Sequence, residues 1–137
     1  MMRKVKLGCV GLQRGRDLIT TLIGNENVQL RAICDMNEER LASCKDFLVC
    51  QNKVEDLMAF TNFEDLLNSD IDAVVIATEA TVHAKMSIQA LNAGKHVLTE
   101  IPAINTIEEA EAISLAVKSN PNRSEEHTSE LQSRQVI

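Results

Sequence analysis

The sequence predicts an α/β fold, a doubly wound parallel sheet with strand order 3-2-1-4-5. Three observations predict it. Strand-like and helix-like patterns alternate from residue 4 to residue 120 with short punctuation between them, as expected of parallel strands wrapped by helices. A turn bearing two glycines, Gly11-Leu12-Gln13-Arg14-Gly15, follows the first strand. An acidic residue, Asp35, closes the second.

Each element has its own signal. KVKLGCV (4–10) is a short, mostly apolar first strand ended by Gly11, and RDLITTLI (16–23) is the helix after it. VQLRAICD (28–35) is the second strand. Asn37 then caps EERLASCKDFL (38–48), in which Leu41, Cys44, Phe47 and Leu48 recur at helical spacing. VCQNKVED (49–56) fits either a loop or a frayed helix end, and LMAF (57–60) fits a short third strand. Asn62 is placed to cap FEDLLNS (63–69), and DAVVIAT (72–78) is the near-continuous apolar run of a central strand buried on both faces. VHAKMSIQALNAG (82–94) reads as an amphipathic helix closed by Gly94. HVLTE (96–100) is the fifth strand, and Thr106 with Glu109 forms a T-x-x-E box opening IEEAEAISLAVKS (107–119). A sixth strand would follow that helix in a complete sheet of this kind, and the pattern breaks off before it.

Composition narrows the function. The 137 residues suffice for one domain with a core. Aromatic residues make up 2% and the net charge is -6, so the chain offers neither a stacking platform nor a basic face for nucleic acid. No segment approaches the apolar length of a membrane span, and Lys6 interrupts the run before Cys9, so LGC is not a lipoprotein cleavage site. The expected location is cytoplasmic. Cys9, Cys34, Cys44 and Cys50 form no C-x-x-C pair and no zinc-finger spacing, so no metal site is expected.

From Arg123 the character changes. RSEEHTSELQS (123–133) matches the translation of a common sequencing adapter, and Arg134 to Ile137 fit the index and constant bases that follow it. Residues 123–137 are therefore read as a non-native, disordered tail and residues 1–122 as the domain. His127, Glu125 and Glu126 drop out as site candidates. The body without the tail keeps 12 basic and 17 acidic residues, so it is still acidic.

Glycine at a strand-to-helix turn lets the backbone approach a pyrophosphate, which amide groups and the helix N-terminus then hold. Gln13 stands where the middle glycine of G-x-G-x-x-G belongs, and the turn taken alone is a weak motif. Asp35 strengthens it. It lies 24 positions after Gly11, near the roughly 20 usual for the acid that accepts hydrogen bonds from the adenosine ribose. Its charge opposes a 2′-phosphate, and Met36 and Asn37 offer no cation. NAD is expected in preference to NADP.

The stretch DIDAVVIATEATVHAKMSIQALNAGKHVLTEIPA (70–103) resembles the hallmark region of the Gfo/Idh/MocA oxidoreductases, which show A-T-P-x-x-x-H, then A-L-x-A-G-K-H-V, then E-K-P. The likeness extends over nearly all of residues 4–120. It implies a Rossmann domain with Gly11, Gln13, Arg14 and Gly15 at the pyrophosphate and Asp35 at the ribose. Ala77 and Thr78 would line the nicotinamide side, and His83 and Glu100 would approach the inner ribose and nicotinamide as the catalytic candidates. The implied activity is hydride transfer between nicotinamide and a sugar, cyclitol or similar polyol. The expected partners are that small molecule and, for the full-length protein, further copies of itself in a homo-oligomer. A C-terminal α/β domain builds the substrate pocket in the family, so this chain alone is expected to bind nucleotide and not to turn over.

Three positions depart from the family pattern: Gln13 for Gly, Glu79 for Pro, and Ile101 for the lysine of E-K-P. Isoleucine neither donates nor titrates. A subset of the family is similar in carrying E-V-P or E-I-P, and it includes enzymes that use bound NAD transiently to cleave a glycosidic bond by elimination. An NAD-assisted glycosidase is therefore the first alternative. A non-catalytic nucleotide-binding domain is the second.

Overall fold

A computed structural model describes residues 4–52, 54 and 56–120. The tail and the boundary drawn at residue 122 lie outside the described residues. Five strands, β1 (Val5–Val10), β2 (Val28–Cys34), β3 (Met58–Phe60), β4 (Ala73–Ile76) and β5 (His96–Thr99), form one all-parallel sheet in the order β3-β2-β1-β4-β5. The helices between them are α1 (Gly15–Leu22), α2 (Glu38–Asn52), α3 (Phe63–Leu67) and α4 (His83–Asn92), with α5 (Ile107–Ser119) after β5. A single 3-10 turn, Ala80–Val82, leads into α4.

Helices cover both faces of the sheet, which explains why its central strands read as unbroken apolar runs. In β4, Val74 and Ile76 pack into one core with Leu91 of α4 and Val117 of α5, while Val75 faces the other core with Ile19 of α1 and Leu48 of α2. Val74, Val75 and Ile76 are all essentially inaccessible, and each such burial stabilises by about 1.5–3 kcal/mol. A cation–π contact joins α1 to α2: the Arg16 guanidinium lies 3.9 Å over the ring of Phe47, which packs against the second core.

The caps behave as their chemistry requires. Asn37 Oδ1 accepts from Arg40 N at 2.9 Å, and Asn62 Oδ1 accepts from Glu64 N and Asp65 N. The ambiguous segment after Leu48 is helical through Asn52, so α2 runs longer than its capped core suggests. Thr106 Oγ1 accepts from Glu109 N at 3.1 Å, but the Glu109 carboxylate reaches the Asn105 N–H rather than that of Thr106. The reciprocal bond of the box is thus made one residue early. Gly94 ends α4 with φ +79, the left-handed cap.

Burial pushes the Cys34 thiol up to about 12, with Asp35 adding to the effect, and raises Cys9 and Cys44 as well. The thiolate is the reactive form. A disulfide-exchange reagent at about pH 8 is expected to label exposed Cys50 first and the other three thiols only when urea opens the fold. Fast labelling of a second thiol in the native chain would contradict this packing.

Candidate functional site

Because the sheet is parallel, the loops that follow β1, β2, β4 and β5 meet at one edge, at the point where the strand order reverses. That crevice is where open α/β sheets bind ligands. Gly11 is wedged between neighbours there. Its N–H donates to Cys34 O at 3.0 Å and its φ is +88. A Cβ at that position would stand 2.5 Å from Ala77 O and 2.8 Å from Thr78 N. Gly15 N–H donates back to Gly11 O at 3.0 Å, closing the turn, and a Cβ on Gly15 would stand 2.7 Å from Cys9 Sγ. Both glycines are therefore required by close approach, and Gln13 and Arg14 form the exposed crest between them.

Asp35 is buried at the end of β2. Its Oδ1 accepts from Asn37 N at 2.8 Å, and its Oδ2 accepts from Leu12 N at 3.0 Å. Arg40 Nη1 lies 3.4 Å from the same Oδ2. A carboxylate has about four lone-pair sites, so these bonds orient Asp35 and still leave it able to accept. The bond from Leu12 ties the glycine turn to the end of β2.

A cleft of about 740 Å³ runs along this edge, lined by Gly11, Gln13, Arg14, Asp35, Ala77 and Thr78 among others. This volume falls within the range of small-molecule sites. Six of the predicted residues thus share one cavity, with Gly15 beneath the turn. Glu100 connects through an ion pair, with Arg14 Nε 2.8 Å from Glu100 Oε2. His83 sits behind the wall. It is 2% exposed, with Nδ1 2.9 Å from Pro102 O and Nε2 2.8 Å from Thr78 O. Ile101 is exposed beside Glu100, and the Ile101–Pro102 peptide is cis.

Comparison with known proteins bears on this geometry. Residues 5–126 match the profile of the Gfo/Idh/MocA group, described as an oxidoreductase family with an NAD-binding Rossmann fold. The chain belongs to the Gfo/Idh/MocA oxidoreductase family. It is 35% identical over 113 residues to a glycosyl hydrolase family 109 protein of Shewanella baltica, covering 79% of this chain and 25% of that protein. It is 33% identical over the same length to an alpha-N-acetylgalactosaminidase of Shewanella oneidensis, again 79% of this chain and 25% of that one. Among solved structures, scyllo-inositol dehydrogenase from Lactobacillus casei with bound NAD(H) and scyllo-inositol superposes with a TM-score of 0.74 at 29% identity, over 88% of this chain and 34% of that one. The chain spans about a quarter of the length of the curated relatives it matches.

As a Gfo/Idh/MocA domain the chain is NAD-binding, and the residues present fit that cofactor: two glycines, each barred from carrying a Cβ by neighbouring protein atoms, keep the turn tight, and a buried carboxylate stands beside it. Sequence reasoning missed two contributors to this Gfo/Idh/MocA site. The Leu12 amide carries no side-chain signal. Arg40 does carry one, because a helix capped by Asn37 brings the residue three positions on back over the strand end. Among the described residues no cluster of three or more His, Cys, Asp or Glu could hold a metal ion, and no helix is long and apolar enough to cross a membrane.

Proposed function

We propose that this chain is the nucleotide-binding part of an oxidoreductase that moves hydride between nicotinamide and a sugar, cyclitol or similar polyol. The observation that carries the reading is the pairing of the Gly11–Gly15 turn with the oriented Asp35 carboxylate on one cleft. Bound NAD would supply the hydride acceptor. The turn's amides, with Gln13 and Arg14, would hold the diphosphate, and Asp35 would accept from the adenosine ribose hydroxyls. Ala77 and Thr78 wall the opposite side. Glu100, 19% exposed just after β5 and paired with Arg14, would hold or accept a proton near the reacting carbon. His83 acts on catalysis from behind, fixing the Thr78 and Pro102 carbonyls that frame that end. The bound scyllo-inositol of the Lactobacillus casei relative supports a polyol as the substrate class.

Asp35→Asn tests the site. Loss of one charge-assisted bond to the ribose is expected to weaken NADH binding to this chain about tenfold or more, read by titration calorimetry. Unchanged affinity would remove Asp35 from the site.

A second reading is favoured by Ile101, exposed where a lysine would otherwise stand, together with the glycosidase names of two relatives. In that case a full-length protein carrying this domain cleaves a glycoside with no NAD added and no net NADH formed. Steady NADH production from inositol or a free sugar supports the dehydrogenase instead.

A further inference from the structure

The sheet edge that gathers the site also brings one cation against the Glu100 carboxylate. We propose that Arg14 is a positioning residue for the reaction: paired with Glu100, it turns that carboxylate to the reacting end of the cleft and supplies there the positive charge that Ile101 cannot. The inference rests on the function proposed above and concerns how Glu100 works within it.

Both backbones are fixed before the side chains meet. Arg14 opens α1: its carbonyl accepts from Asp17 N at 3.2 Å, and the next amide, Gly15 N, donates to Gly11 O at 3.0 Å. Glu100 N donates to Ile76 O at 3.0 Å, which holds the chain after β5 to the end of β4. β4 lies between β1 and β5 in the sheet, so the ion pair of Arg14 Nε with Glu100 Oε2 at 2.8 Å spans the strand end that bears Ala77 and Thr78. The partners differ in exposure, 75% for the arginine side chain and 19% for the glutamate. Water screens such a pair, so it adds little to the stability of the fold. Its effect is on direction. Among the described residues Arg14 is the one cation in an ion pair with Glu100, and the neighbouring Ile101 side chain is exposed and apolar. A guanidinium has five N–H donors in a fixed fork, so Arg14 can meet the diphosphate with one part of the fork while it holds Glu100 with another. The contribution of Glu100 therefore depends on a residue of the glycine turn.

The test is titration calorimetry of this chain with NADH and with ADP, which carries the adenosine and the diphosphate and lacks the inner ribose and the nicotinamide. Glu100→Gln is expected to weaken NADH about tenfold and ADP less than about twofold, because the carboxylate would serve only the far half of the dinucleotide. Arg14→Ala is expected to weaken ADP about threefold, through the charge lost at the diphosphate, and NADH about thirtyfold, because the orientation of Glu100 is lost as well. The double variant is expected to bind NADH within about twofold of Arg14→Ala alone, since a carboxylate already misdirected has nothing further to lose. A merely structural role for Arg14 would move both ligands together. Equal losses of ADP and NADH in Arg14→Ala, a Glu100→Gln loss that persists undiminished in the Arg14→Ala background, or NADH binding indifferent to Glu100→Gln overturns the proposal and leaves the nucleotide site standing. A wild-type chain that binds neither ligand overturns both.

Discussion

Gly11→Ala is expected to abolish NADH binding and to cost the fold about 3 kcal/mol. Two penalties combine. A left-handed backbone, φ +88, costs a residue bearing a Cβ about 1–2 kcal/mol. The new methyl would also lie 2.5 Å from Ala77 O and 2.6 Å from Ala77 C, which are backbone atoms and not a side chain that can swing away. Neither partner can yield cheaply. Ala77 N donates to Val10 O at 2.9 Å, and Gly11 N donates to Cys34 O at 3.0 Å, so three strand ends are locked together. Relief would spread β1 from β4 and displace the Ala77 and Thr78 wall of the cleft. Urea unfolding should show a lower midpoint at unchanged slope, with no heat on titration with NADH. Gly24→Ala is the control: its Cβ meets Thr21 O at 3.3 Å and its backbone is not left-handed, so a loss under about 1 kcal/mol and normal NADH binding are expected. A Gly11→Ala chain that bound NADH normally would show that the turn does not hold the diphosphate.

His83→Ala is expected to cost about 3 kcal/mol, although the residue is polar. The ring is 2% exposed, so its removal leaves a cavity. It also strands two carbonyl oxygens, Thr78 O and Pro102 O, that now lie 2.8 and 2.9 Å from the ring nitrogens. These carbonyls belong to the loops after β4 and β5, so nucleotide affinity should fall with stability. His83→Gln, whose amide can donate to one of the two, is expected to recover part of the loss. An alanine variant with wild-type unfolding and wild-type affinity would mean that the ring holds neither loop.

Much of the architecture was legible in the primary structure because it follows from local rules. Short, mostly apolar runs marked the five strands, and Asn37, Asn62, Thr106 and Gly94 marked helix ends through hydrogen bonds made within three residues or a single backbone angle. The end of α2 was not legible. Residues 49–52 carry no stop signal and no strong apolar spacing, and the helix simply continues from its nucleated core.

The site divides along the same line. Gly11, Gly15 and Asp35 could be picked out by type and spacing, since only glycine tolerates the turn and only an acid suits the ribose. What those residues touch could not. The Leu12 N–H reaches Asp35 across 23 positions, Arg14 after β1 pairs with Glu100 after β5, and the His83 ring closes on Pro102 behind the cleft wall.

The order of apolar and polar residues by itself determined a parallel sheet with a nucleotide-binding edge, because strand and helix periods and capping chemistry act over a few residues. Tertiary structure alone decided that Arg14 pairs with Glu100 and that His83 is a buried brace. Those outcomes depend on where separate chain segments come to rest when both faces of the sheet are packed, and no local pattern encodes that distance.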